Sequence, residues 1–346
     1  MRAVCMTLSW GSLRSYLYLG CILGLRAVSA LLIAFFSIST LGIKEVSAAS
    51  QTVSALVTER QRQVIHELLI RNFIGITRMG STNAAEFRQR IQAEQLKSAS
   101  CASGCELSYI NKGASGVFSG DFFDLQMLDD EHMLVRFGDV MGHDLLAATV
   151  ATALETGFHD REIQALMRKL YLQHGTEGQK QALITLRDAL RLKKSMFYTL
   201  TDSVINLRSR QVSSLFLGSD YFMRATKTSD GFVVDNVGDM EARLTFMMMS
   251  EELIMPEDAD FEAVKPHVSN YESGEYLVYI SDGLLGRMVG EELLAMMPLA
   301  QQIVAQSLSE TEDFADVAAT ISEKMLAISA EYTELDDITV LVLKLP

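Results

Sequence analysis

Residues 119–124 read SGDFFD and, after the strand-like stretch His132 to Phe137, residues 138–144 read GDVMGHD. Each motif sets a short acidic side chain beside glycine at a strand end. That pairing lets the backbone turn sharply and present its carbonyl oxygens near the carboxylates. Two more such junctions lie downstream. The apolar strand Tyr276 to Ile280 runs into Ser281-Asp282-Gly283, and the last strand opens with Asp336-Asp337-Ile338-Thr339. Any one of these aspartates alone reads as a turn or cap residue, since Asp favours such positions. Four acidic strand ends meeting in one place would concentrate negative charge unless cations neutralised it, and hard divalent cations prefer this oxygen supply. A metal pair is the simplest remedy.

Around these motifs, apolar alternation predicts strands at 107–110, 133–140, 196–207, 212–216, 231–237, 276–280 and 338–343. Helical periodicity marks 145–156, 161–172, 180–192, 291–308 in broken pieces, and 313–329. Strands interspersed with helices, without regular β-α-β alternation, predict an α+β layered fold.

The remaining composition mostly excludes. A net charge of −14 with no basic stripe argues against a nucleic-acid partner, whose phosphates need clustered Lys and Arg. Of the four cysteines, Cys5 and Cys21 lie in or beside the hydrophobic N-terminus, and Cys101 and Cys105 lack a second Cys or His pair at zinc-ligand spacing. No Cys-x5-Arg thiolate signature and no GxxxxGK[ST] phosphate loop is present. Met247, Met248 and Met249 are assigned to packing or a flap.

Three segments follow from this reading: a hydrophobic membrane anchor or signal segment over 1–48, a helical linker over 49–98, and the domain that carries the acidic motifs over 99–346. The apolar run Ala27 to Ile43 is just long enough for a tilted span. Arg2, Arg14 and Arg26 before it, and Val46-Ser47-Ala48 after it, equally suit a cleaved signal. The expectation is a membrane-associated chain with the 99–346 domain in the cytoplasm, secretion through a cleaved signal being the alternative. In the linker, Val57, Val64, Leu68, Leu69 and Phe73 recur at amphipathic-helix spacing. Gly80-Ser81-Thr82-Asn83 breaks that helix and a second piece follows over 84–96. Such helices either pair between subunits, giving a homodimer, or cap the following domain.

Over about Ala93 to Leu345, the order Ser-Gly-Asp, Gly-Asp-Val-x-Gly-His, Ser-Asp-Gly, Asp-Asp-Ile-Thr resembles the bacterial branch of the type 2C, metal-dependent protein phosphatases, of the sporulation stage II protein E type. Ile91 to Leu96, IQAEQL, is similar to the helix that leads into that domain. The resemblance implies a four-layer α-β-β-α sandwich of two antiparallel sheets between helical layers, preceded here by the hydrophobic helix and the helical linker. It further implies two Mg2+ or Mn2+ ions: Asp139 bridging them, the Val140 carbonyl on one, Asp282 and Asp336 on the other, Asp121 acting through metal-bound water or a further ion, and Asp337 as a weaker ligand. The implied activity is hydrolysis of a phosphoserine or phosphothreonine protein by a water activated between the two metals. The implied partner is a phosphoprotein in a partner-switching pathway, such as an anti-sigma-factor antagonist. His143 is the candidate proton donor to the leaving oxygen; packing or orientation of a carboxylate is its other reading.

The chain also departs from the family. Asp144 stands where Gly is usual, Leu217-Gly218-Ser219-Asp220 replaces an Ala-Gly-His turn, and Leu284-Leu285-Gly286 lacks the acidic or Thr residues common after Ser-Asp-Gly. The Leu217–Asp220 departure leaves the metal aspartates untouched and reads as altered specificity; a catalytically inactive pseudophosphatase that binds a partner is the rival reading. A secreted calcium-binding protein is a third.

Overall fold

A computed structural model of the chain describes residues 57–79, 81–113, 119–140, 142, 145–189, 198–217, 221–238, 265–284, 291–329 and 336–346. The hydrophobic helix expected within 1–48, His143, Asp144, residues 218–220 and the Met247–Met249 run lie outside the described residues. Among the described residues no helix is long and apolar enough to cross a membrane.

The chain opens with two helices, α1 (Glu59–Met79) and α2 (Ser81–Ser103), followed by strands β1 (Glu106–Lys112), β2 (Asp121–Met127) and β3 (His132–Val140). Helices α3 (Leu145–Phe158) and α4 (Arg161–Ala189) come next, then strands β4 (Tyr198–Asn206), β5 (Gln211–Leu217), β6 (Tyr221–Thr228), β7 (Gly231–Asn236), β8 (His267–Asn270) and β9 (Tyr276–Ile280). Helices α5 (Glu291–Glu310) and α6 (Val317–Ser329) precede the final strand, β10 (Ile338–Lys344). The strands form two five-stranded antiparallel sheets, ordered β1-β10-β9-β6-β7 and β2-β3-β4-β5-β8.

Period-two alternation sorts the strand side chains into layers. Phe123, Leu125, Met133, Val135 and Phe137 from one sheet meet Leu277, Tyr279, Leu341 and Leu343 from the other in a core between the sheets. The intervening residues Val278, Ile280, Val340 and Val342 face outward and are covered by Ile303 and Val304 of α5 and Ile321 and Met325 of α6. On the opposite side α3 lies on β2 and β3. There Phe122 and Phe158 meet at 6.3 Å between ring centroids. The result is a helix-sheet-sheet-helix sandwich, with the central strands β3, β9 and β10 buried on both faces.

The two N-terminal helices pack on this domain. Helix α1 lies along α3 and α4, and α2 lies on β2 and α3. Contact with α3 is close at Gly157, where a Cβ would sit 2.3 Å from Leu69 Cδ2. Thr58 and Gln61 start α1 with a reciprocal cap: the Gln61 N–H donates to Thr58 Oγ1 (3.3 Å) and the Thr58 N–H to Gln61 Oε1 (2.9 Å).

The two helices expected at 161–172 and 180–192 are present, meeting within α4 at Gly175, whose φ of 54° takes the backbone out of the helical region. One helix expectation changes. Pro298 sits inside α5 without dividing it.

Candidate active site

The acidic motifs meet at one end of the sandwich. In the register of β2 and β3, Asp121 stands directly opposite Asp139. Both continue the alternation of Phe123 and Phe137, so both belong to the inner face, where the space between the sheets opens. Directly opposed antiparallel residues have Cβ atoms about 4.5–5.5 Å apart, and like charges there repel. From the other sheet, β9 ends at Ile280, which pairs with Val340 of β10. That pairing sets Asp282 just beyond β9 beside Asp336 and Asp337 just before β10.

Backbone hydrogen bonds fix this edge. The Ser281 N–H donates to the Thr339 carbonyl (3.0 Å), and the Thr339 N–H donates back to Ser281 Oγ (2.8 Å). The Asp337 N–H is held by Asp336 Oδ1 at 2.8 Å. Across the gap the Gly120 N–H donates to Asp337 Oδ2, which ties the β2 end to the β10 end. Two glycines make the approach possible. At Gly120 a Cβ would stand 2.8 Å from the Val140 carbonyl oxygen, 2.9 Å from that of Gly142 and 3.2 Å from Asp337 Oδ2. At Gly283 it would stand 1.9 Å from the Asp337 carbonyl oxygen. Side chains at these positions would occupy the space in which backbone and carboxylate oxygens gather.

The electrostatics follow from this crowding. Asp121 is buried, and the Thr339 and Ser281 hydroxyls beside its carboxylate do not complete a hydrogen bond to either oxygen. Burial first, then the Asp282 charge, raise its carboxyl to about 7, against the pull of the Thr339 and Ser281 hydroxyls and with Asp337 adding to the rise. Asp282 rises to about 6: burial leads, Asp336 follows, the N–H groups of Asp282 and Gly283 oppose, and Asp337 adds. Asp336 is exposed, Asp337 buried and Asp139 half-buried.

Of the residues singled out from the sequence, Asp121, Asp282, Asp336, Asp337 and the Val140 carbonyl are brought to one place, with Asp139 at the register position facing Asp121. Among the described residues no three Asp, Glu, His or Cys side chains close on a single point at which they would hold an ion. The arrangement is an open edge of oxygens. Mg2+, which keeps several waters and takes one or two carboxylates, suits such an edge better than a closed cage does. The orphaned buried oxygens of Asp121 and the all-oxygen donor set therefore fit hard divalent cations.

Sequence reasoning missed Arg88 and Glu155, which lie under the β2 end of this edge. Arg88 sits in a polar stretch that reads as a solvated helix face. Its one signal is spacing: Arg88, Gln92 and Gln95, at i, i+4 and i+7, are all buried.

Known proteins resemble this chain to different extents. A search of curated proteins returned no match. Among solved structures, the phosphatase domain of Bacillus subtilis SpoIIE with a fragment of its regulatory domain is 19% identical, with 70% of this chain and 63% of that chain covered and a TM-score of 0.46. A second crystal form of the B. subtilis phosphatase domain gives 20%, 69%, 91% and 0.46. The RsbU and RsbW domains of a Mycobacterium tuberculosis protein give 16%, 69%, 59% and 0.47. The chain thus spans less than two thirds of the first and third of these. The family model described as stage II sporulation protein E (SpoIIE) matches residues 129–346. That match takes in more than half of the chain, including the ends of β3, β9 and β10 that carry the acidic edge, and the chain belongs to the stage II sporulation protein E family.

Proposed function

We propose that this chain is a metal-dependent serine/threonine protein phosphatase whose active site is the acidic edge between the sheets. One observation carries the reading: buried carboxylates from strands far apart in sequence are gathered where the charges acting on them are mainly other carboxylates. A fold gains nothing from such repulsion unless cations or a proton relieve it.

Asp139, Asp282, Asp336 and the Val140 carbonyl would hold two Mg2+ or Mn2+ ions, with Asp121 and Asp337 as further donors. When bound, such ions neutralise the carboxylates, lower the pKa of water and offset charge on phosphoryl oxygens. The chain's own residues do the rest. The reciprocal Ser281 and Thr339 hydrogen bonds keep the β9 and β10 ends in register, and Asp337 holds the Gly120 N–H, so both halves of the edge move as one. Asp121, raised to about 7, is able to hold a proton at its carboxyl near neutral pH. His143 is retained as the proton donor to the leaving serine or threonine oxygen.

The substrate proposed is a phosphoprotein of a partner-switching pathway, an anti-sigma-factor antagonist in the first instance. Residues 1–48 are proposed to attach the chain to a membrane with the catalytic domain in the cytoplasm, and protease protection of fractionated membranes tests that topology. The linker helices are proposed to contribute to a homodimer, which sedimentation of the full chain tests.

The deciding experiment is phosphate release from p-nitrophenyl phosphate and a phosphoserine peptide by the full chain with manganese. Asp139→Asn and Asp282→Asn should each lower the rate at least about a hundredfold, since cation stabilisation of the transition state is worth several kcal/mol. Turnover that is near zero and equal in all three proteins favours the rival reading, a binding module without catalysis.

A further inference from the structure

Below the acidic edge, on the helix-covered side of β2, lies a buried ion pair that the mechanism above does not use. Arg88, on α2, is 4% exposed, and Glu155, on α3, is wholly buried. They meet in a two-pronged contact, Nε to Oε2 at 2.7 Å and Nη2 to Oε1 at 3.1 Å. Arg88 has donors to spare. Its Nη1 donates to the Ser119 carbonyl and its Nη2 also donates to the Asp121 carbonyl. These carbonyls bracket Gly120, the residue whose N–H reaches Asp337. Glu155 is pinned in turn: its Oε1 accepts from Gln92 Nε2 at 2.8 Å and from the Phe123 N–H at 3.2 Å. The backbone from Ser119 to Phe123 is thus gripped on one side by a single guanidinium and its carboxylate, while its other side presents Asp121 to the site.

We infer that Arg88 is a positioning residue for the active site: clamped by Glu155, its guanidinium holds the carbonyls of Ser119 and Asp121 and thereby sets the Asp121 carboxylate and the Gly120 N–H against the β9 and β10 ends. A rigid, planar fork serves this role because it bonds a carboxylate and two carbonyls at once, which a lysine ammonium on a flexible stem does not reproduce. Helix α2, read from sequence as a connection, becomes part of the active-site support. The only other side-chain donor to the Asp121 carbonyl among the described residues is Asn111 Nδ2, at 3.4 Å.

This inference rests on the metal reading of the acidic edge, and its test separates the two. Manganese alone is titrated into the full chain, and free Mn2+ is followed by its electron paramagnetic resonance signal, with thermal unfolding recorded for the same samples. Three variants are compared with the unsubstituted chain: Arg88→Met, the double variant Arg88→Met with Glu155→Gln, and Arg90→Met, an exposed control one helical step away. Arg88→Met leaves a buried carboxylate uncompensated, so it loses stability as well as affinity. The double variant removes both charges, and the amide oxygen introduced by Glu155→Gln still accepts from the Phe123 N–H and from Gln92. It should regain most of the unfolding temperature yet bind manganese about 10- to 100-fold more weakly, the range for groups that orient metal ligands. Manganese affinity in the double variant within twofold of the unsubstituted chain makes Arg88 a packing ion pair and overturns the inference. No manganese binding by the unsubstituted chain overturns the metal reading itself, and this inference with it.

Discussion

Two groups of carboxylates, one on the helix-covered face of β2–β3 and one at the end of the space between the sheets, are treated differently by the protein. On the helix-covered face, Asp124 and Asp202 flank Arg136, which donates to each at 3.1 Å. Tyr171 donates to Asp202 at 2.6 Å and Gln179 Nε2 to its other oxygen at 2.7 Å, while the Arg136 guanidinium lies 4.6 Å from the Phe158 ring centroid. On the inner face, at the sandwich end, Asp121, Asp282, Asp336 and Asp337 press on one another. The contrast is sharpest in what accompanies burial. At Asp202 burial raises the carboxyl, and Arg136, Tyr171 and Gln179 all pull it back. At Asp121 and Asp282 the nearest charges push in the same direction as burial. One group is closed by the chain's own cation. In the function proposed above, divalent cations relieve the other.

The largest effect should come from opening the closed group. Arg136→Met strands two buried carboxylates and should cost about 3–5 kcal/mol, read from urea unfolding. A cost under about 1 kcal/mol would mean that water reaches Asp124 and Asp202, and the contrast would fail. The inner group should respond in the opposite sense. Its raised carboxyls contribute stability that is present below the unfolded value near 3.8 and lost as pH rises through about 6 for Asp282 and about 7 for Asp121. With chelator present, the chain should therefore lose stability between pH 4 and pH 8. Asp121→Asn should flatten that fall and, at pH 8, be more stable than the parent by roughly 2–4 kcal/mol. Equal pH profiles for the two proteins would show that the inner carboxylates are relieved without cations. The smallest effect belongs to Tyr171→Phe, which removes a hydroxyl between Arg136 and Asp202 and should cost about 1–2 kcal/mol at every pH from 5 to 8.

How much of this was readable beforehand depends on where polar residues sit. The ends of β3, β9 and β10 were legible because each is an apolar run stopped by Asp beside Gly, Ser or Thr. Strands β2, β6 and β8 were not. In β2 the residues from Asp121 to Leu125 are buried on both faces, and Asp124 and Asp121 interrupt the hydrophobic pattern for unrelated reasons, one for Arg136 and one for the site. In β6, Arg224, Thr226, Lys227 and Thr228 disguise a strand that lies between β9 and β7 and carries Met223 and Ala225 into the core. Strand β8 has four residues with alternating partial exposure, too few to leave a period. Beyond its spacing with Gln92 and Gln95, Arg88 had no local signal, because its partners lie 31 to 67 positions away. Nearness of that kind is made by the fold.

The final strand is not at an edge: β10 slots between β1 and β9. It brings Asp336, Asp337 and Thr339 to a place whose other half, at Gly120, was synthesised 217 residues earlier. During translation the earlier half must wait, and the acidic edge is completed only when β10 is inserted between β1 and β9. A ribosome that stops short of β10 leaves a chain with half a site, and pairings this distant close late and slowly.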